Sequence, residues 1–112
     1  MAYDQQLADR LRQLLSERAD LSEKKMFGGV AFLIEGNMAV AASGQGGLMV
    51  RVGPAQSATL VATTPARMIE MQGRQMPGWL RVDSADLAGH NELEAWVARG
   101  VSYATTLPPK GK

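Results

Sequence analysis

Two runs of alternating residues, separated by Glu35-Gly36-Asn37, constrain the fold of this chain more than any other feature of its sequence. Apolar side chains recur at every second position from 30 to 34 and again from 38 to 42. A period of two is typical of β-strands, because successive side chains point to opposite faces. Gly36-Asn37 suits a two-residue turn with glycine first, where φ is positive. The sequence therefore predicts an antiparallel hairpin.

Gly28 and Gly29 stand at the entrance to this hairpin. Glycine within a strand usually marks a bulge or a close backbone approach, so we predict a bend where the first strand passes close under a helix. A phosphate cradle is the alternative reading. Neither this pair nor the run from Gly44 to Gly47 has the third glycine or the following lysine that phosphate-binding loops use.

Helical and strand periodicities alternate along the rest of the chain. Helices are predicted at 3–18, from 54 to about 62 and from 92 to about 105, the last with Asn91 as its N-cap and Glu94 completing a capping box. Further strands are predicted at 48–52, 67–71 and 78–83. The order α-β-β-β-α-β-β-α indicates a two-layer α+β fold with a mainly antiparallel five-stranded sheet. We expect a single domain at 1–107 and a flexible tail at 108–112.

Composition narrows the classes of function. A chain of 112 residues that is 46% hydrophobic can bury a core without disulfides or metal. The lack of cysteine excludes thiol catalysis, iron–sulfur clusters and cysteine zinc sites. No apolar run approaches the ~20 residues that span a bilayer, and the N-terminus is too polar for a signal peptide, so we expect a cytoplasmic protein without membrane contact. A net charge of +1 gives little long-range attraction for nucleic acid.

Residues that could carry chemistry are few and scattered. His90 is the single histidine, beside a predicted helix start, and cannot supply a multi-histidine metal site. No serine lies in a Gly-x-Ser-x-Gly motif. The carboxylates near the last helix are explained by its start, where negative charge is favourable; they are Asp83, Asp86, Glu92 and Glu94. The sequence predicts no catalytic residue, no metal ligand and no cofactor, and it favours a role other than catalysis.

Basic residues on or near the predicted strands are candidate contacts with a partner. Several of them on one sheet face, beside Phe27 or Trp79, would form a patch; they are Lys24, Lys25, Arg51, Arg67, Arg74 and Arg81. A solvated charged face is the competing interpretation. The methionines are predicted mainly to fill the core, with Met71 and Met76 nearest to a partner surface.

Short motifs spread over nearly the whole chain resemble the TfoX/Sxy N-terminal domain family. They are Lys25-Met-Phe-Gly-Gly-Val30, Leu48-Met-Val-Arg-Val52, Gly73-Arg74 with Met76-x-Gly-Trp79, and Leu93-x-x-Trp96-Val. The later Trp-Val-x-x-Gly and Leu-Pro-Pro-Lys are similar to the short, stand-alone branch of that family.

The resemblance implies an α+β fold in the order given above. It also implies a structural role for the motif residues Met26, Phe27, Gly28, Gly29, Gly73, Arg74, Met76, Gly78 and Trp79. The competence regulators that give the family its name carry a second, C-terminal domain, which we expect this chain to lack. The family offers no catalytic residues to map onto these positions.

Three functions stay open at this level. The leading one is a non-enzymatic regulatory domain that binds a protein partner, or a second copy of itself as a homodimer, through a strand edge or an uncovered sheet face. The second is a small-molecule site or minor enzyme activity in a pocket between the sheet and the helices. The third is weak nucleic-acid binding through the strand arginines.

Overall fold

The computed structural model of the chain describes residues 5–16, 18–26, 28–44, 46–71 and 73–108, except for the side chains of Met26 and Met71. Its elements, in chain order, are α1 (Gln5–Leu15), β1 (Leu21–Met26), β2 (Gly29–Ile34), β3 (Asn37–Ala42), β4 (Leu48–Arg51), α2 (Pro54–Thr63), β5 (Arg67–Met71), β6 (Arg74–Val82), a 3-10 turn (Ser84–Leu87) and α3 (His90–Ala104). The predicted α+β class is confirmed. The predicted tail beyond Pro108, the first four residues and Phe27 lie outside the described residues.

The sheet has six strands in the order β1-β2-β3-β4-β6-β5, and every neighbouring pair is antiparallel. The prediction of five strands was wrong because it missed β1. The segment from Leu21 to Met26 is polar and has no apolar alternation, and residues 22–25 are exposed. It forms a strand because it pairs with β2 along its whole length. Lysines on an edge strand hinder pairing with a further strand, so the composition suits its place in the sheet.

The double glycine belongs to the β1–β2 hairpin, not to a bend under a helix. Met26 pairs with Gly29 across a two-residue loop, and Gly28 has φ +78°. A Cβ atom at Gly29 would overlap the carbonyl oxygen of Ala42 and lie 2.9 Å from the amide nitrogen of Gly44. The expected close backbone approach is therefore present, but it is made to the end of β3.

The β2–β3 turn lies one residue earlier than predicted. Its central residues are Glu35 and Gly36, with φ of +51° and +86°. Asn37, which was predicted to lie in the turn, is the first residue of β3 and is buried. Its side-chain amide donates a 2.8 Å hydrogen bond to the carbonyl oxygen of Pro108, so tertiary contact decides the boundary.

Other boundaries also differ from the sequence prediction. α1 ends at Leu15 and not at residue 18, and β4 ends at Arg51 and not at residue 52. β6 begins at Arg74 and not at Gly78, because residues 74 and 75 pair with the end of β5. α3 begins at His90, with Gly89 as its N-cap, so Asn91 lies inside the helix and is not its cap. The predicted bounds of β5 are confirmed, and α2 ends within about one residue of its predicted end.

All three helices cover the same face of the sheet. One buried cluster joins Leu11 of α1 and Trp96 of α3 to Phe32 and Leu80 of the sheet, with Leu60 of α2 packed against it. α3 approaches β3 closely at Gly100, where a Cβ would overlap the carbonyl oxygen of Ala39. The layer between the sheet and these helices is filled with side chains, and no described helix lies on the opposite face of the sheet.

Candidate binding site on the helix-free sheet face

A single register row runs across all six strands on the side away from the helices. Paired residues of antiparallel strands share a face, and the row reads Lys24, Ala31, Ala41, Met49, Arg81 and Arg67. Val50, the neighbour of Met49, lies in the helix-side core, so this row lies on the other side. We call this side the helix-free face. Its centre is apolar, and its two edges are basic.

A second apolar cluster occupies the centre of the helix-free face. Ala31, Met38 and Ala41 are buried, and Leu33, Met49 and Trp79 pack against them. All of them except Leu33 line a cavity of about 310 Å³, whose other lining residues are Ala42, Ser43, Gly44, Ile69 and Met76. We call it the methionine cavity. Its volume lies at the lower end of the ~300–1,000 Å³ typical of small-ligand sites.

A large bulge in β6 forms one wall of the methionine cavity. The pairing of β5 with β6 passes from Met68↔Leu80 directly to Glu70↔Gln75, so residues 76–79 of β6 stand against residue 69 alone. Gly78 makes this possible with φ +89°, and its carbonyl oxygen accepts a 2.8 Å hydrogen bond from the amide of Val52. The motif Met76-x-Gly-Trp79 is thus a bulge that brings two lining side chains together.

The polar end of the methionine cavity is formed by the loop between β3 and β4. Arg81 donates from Nη1 to Ser43 Oγ and to the carbonyl oxygen of Gly46, both at 3.0 Å. These bonds hold the guanidinium against the same loop that closes the cavity. Arg81 also lines a second hollow, of about 470 Å³, whose lining residues are Gly46, Gly47, Arg67, Arg81, Asp83 and Ser84. We call it the arginine hollow.

Only part of the predicted basic set meets on this face. By register, Lys24, Arg67 and Arg81 share it, while Lys25 pairs with the core residue Val30 and lies on the helix side. Arg74 is exposed at the β5–β6 turn. The sequence could not show which sheet face each of these residues occupies. β1 was not predicted as a strand, and the bulge in β6 changes the alternation of its side chains.

Arg51 has a different surrounding from the other basic residues. Its guanidinium carbon lies 5.0 Å from the ring centre of Trp79 and 5.5 Å from that of Tyr103. Such cation–π stacking links the end of β4 to α3. Arg51 and Trp79, both predicted as contacts with a partner, therefore also serve packing within the chain.

Within the described residues, no group of three or more His, Cys, Asp or Glu side chains could hold a metal ion. His90 is exposed at the start of α3. The hydrogen bond from Arg18 lowers the pKa of the Asp20 carboxyl, and the hydrogen bond to Glu23 raises the pKa of Arg12. Both ion pairs belong to the connection between α1 and β1.

An open groove of about 670 Å³ lies between α2 and α3, with Gln56, Arg99 and Tyr103 among its lining residues. The second hypothesis placed a pocket between the sheet and the helices, where the side chains named above form a buried core.

In the ranges that the structure describes, no helix is long and apolar enough to cross a membrane.

Sequence reasoning did not single out the methionine cavity, although a signal for it was present. In β2 and β3 nearly every residue is apolar, including the side chains between the core positions. A strand with one solvated face shows a polar residue at every second position. Ala31, Leu33, Met38 and Ala41 break that pattern, and they could have indicated a second buried face.

Comparison with models of known protein families shows which family the chain belongs to. The family model of the TfoX N-terminal domain matches residues 13–104. The chain belongs to this family. The match begins in the last turn of α1 and ends with α3, so the hairpins, the bulge motif and the helix-free face all lie within the family's domain. A search of curated proteins and a search of solved structures each found no match.

Proposed function

We propose that this TfoX N-terminal domain is a non-enzymatic cytoplasmic binding module whose helix-free face contacts a regulatory protein partner. The observation that supports the proposal is the second apolar cluster on a sheet face that carries no described helix. Partly exposed apolar side chains grouped on one face, here Leu33, Met49 and Trp79, are typical of surfaces that associate. Methionines suit such a surface, because their unbranched side chains adapt to the shape of a partner.

The charge pattern indicates the chemistry of the partner. Lys24 at one edge and Arg67 and Arg81 at the other flank the apolar centre. A second copy of the chain, docked face to face, would bring basic edges close to each other, which disfavours a homodimer of this geometry. A surface with an apolar centre and acidic flanks fits better. Nucleic acid is the weaker candidate, since the centre of the face is apolar and net charge is +1.

Affinity capture from the source cell tests the proposal. Met49 and Leu33 are half-buried on the helix-free face, so glutamate at either position adds a charge there without opening the main core. We expect one defined protein to be retained by the native chain and lost with Met49→Glu or Leu33→Glu. Ala98→Glu, at an exposed position of α3, is the matched control and should retain it.

Two results would contradict this role. Equal capture by the Met49→Glu chain, with its melting temperature unchanged, would place the contact elsewhere. Loss of capture with Ala98→Glu alone would move it to the helical layer. Binding that instead selects nucleic acid and falls steeply with salt would favour the third hypothesis.

A further inference from the structure

The methionine cavity and the arginine hollow lie side by side and have complementary chemistry. The first is lined almost entirely by apolar side chains, and the second by two arginines, an aspartate and a serine. Residues of the β3–β4 loop line both, Ser43 and Gly44 the methionine cavity and Gly46 and Gly47 the arginine hollow. Arg81 contacts both parts of this loop through its hydrogen bonds to Ser43 and Gly46.

We propose that this pair of cavities is a binding site for one amphiphilic anion, a free alkyl chain of medium length that ends in a carboxylate. The alkyl chain lies among Met38, Met49, Met76 and Trp79, and the carboxylate lies at the loop beside Arg81. The proposal goes beyond the protein contact described above, because it concerns a small molecule and does not require a protein partner.

The apolar half of the site favours a flexible hydrocarbon. The lining methionines come from three strands, β3, β4 and β6, and can adjust to a chain that has no fixed shape. Burial of each CH2 group of the alkyl chain strengthens binding, so the chain supplies most of the affinity. A polar ligand would gain little here, since few polar groups line this part of the site.

The basic half of the site favours an anion over a neutral head group. Arg67 and Arg81 are directly opposite each other on neighbouring strands, an arrangement of like charges that costs free energy. Asp83 offsets part of it, with Oδ1 2.6 Å from Nη2 of Arg67. A carboxylate from the ligand would add a second negative charge, and charged hydrogen bonds from arginine are the stronger ones.

Calorimetric titration of the full chain with sodium decanoate, held below the concentration at which it aggregates, tests the site. We expect saturable binding of one molecule per chain. 1-Decanol has the same chain with a neutral head group, and butyrate has the same head group with a short chain; both should bind at least about tenfold more weakly. With ¹³C-labelled methionine methyl groups, the signals of Met38, Met49 and Met76 should shift together as the site fills.

Two variants test separately the contributions of the methionine cavity and of the arginine hollow to decanoate binding. Ala41→Leu fills the methionine cavity and should abolish decanoate binding, while Arg81→Gln removes the charge and should weaken it about tenfold. Arg99→Gln is the matched control, since Arg99 stacks on Trp96 in the helical layer, and should leave binding unchanged.

Three outcomes would overturn the proposal. Equal affinity for decanoate and 1-decanol would show that the arginines do not contribute to binding. Equal affinity for decanoate and butyrate would show that the methionine cavity does not hold the alkyl chain. Unchanged binding to Ala41→Leu would place the ligand elsewhere. If Arg81→Gln does not fold, the comparison of ligands on the native chain still decides. Failure to bind decanoate leaves the protein-contact proposal intact, because its test measures retention of a protein.

Discussion

At the scale of single residues, Glu35 is the position where the sequence suits its backbone least. It is exposed and has φ +51° beside Gly36 in the β2–β3 turn. Turns with two positive φ values favour Asn-Gly, since asparagine tolerates this region better than other side chains. Glu35→Asn should stabilise the chain by about 0.5 kcal/mol in urea unfolding. Glu35→Val should destabilise it, and a gain with valine would contradict this account of the turn.

At the scale of elements, the packing of α3 on β3 depends on Gly100. Alanine is the better helix former by about 1 kcal/mol, so propensity alone predicts that Gly100→Ala stabilises the chain. A Cβ there would overlap the carbonyl oxygen of Ala39 and lie 2.9 Å from Cγ1 of Val40. We expect a net destabilisation of about 2 kcal/mol in urea unfolding. Ser102→Ala, at an exposed position of the same helix, should change stability by less than about 0.5 kcal/mol.

The same helix shows which parts of an element its own sequence determines. The apolar stripe from Leu93 to Val101 predicted α3, and the stripe packs as expected on the sheet. Its start was predicted two residues too late, because Asn91 and Glu94 fit the pattern of a capping box, whereas the N-cap is Gly89 and no side chain caps the helix. β1 was missed for the converse reason. Its polar residues carry no strand signal, and pairing with β2 supplies what the sequence lacks.

At the scale of the whole molecule, the two faces of the sheet differ in what they contribute. Phe32 is fully buried in the main core, whereas Met49 is half-buried on the helix-free face. Phe32→Ala should therefore cost about 3–5 kcal/mol of unfolding free energy. Met49→Ala should cost about 1 kcal/mol and act mainly on binding. Similar losses from both, measured by urea unfolding, would mean that the helix-free face belongs to the stability core.

Most elements could be predicted from the sequence, because their residue patterns are local. The hairpin of β2 and β3, the helices and the α+β class follow from periods of two and 3.6 residues, which each segment carries alone. Tertiary structure decided what depends on distant partners: the sixth strand, the phase of the lysines on it, and the bulge that turns Met76 and Trp79 toward the methionine cavity. The register of the sheet places residues that are far apart in the chain, such as Lys24 and Arg67, on the same face. No local pattern specifies the register, because the free energy of strand pairing arises only when the whole sheet forms.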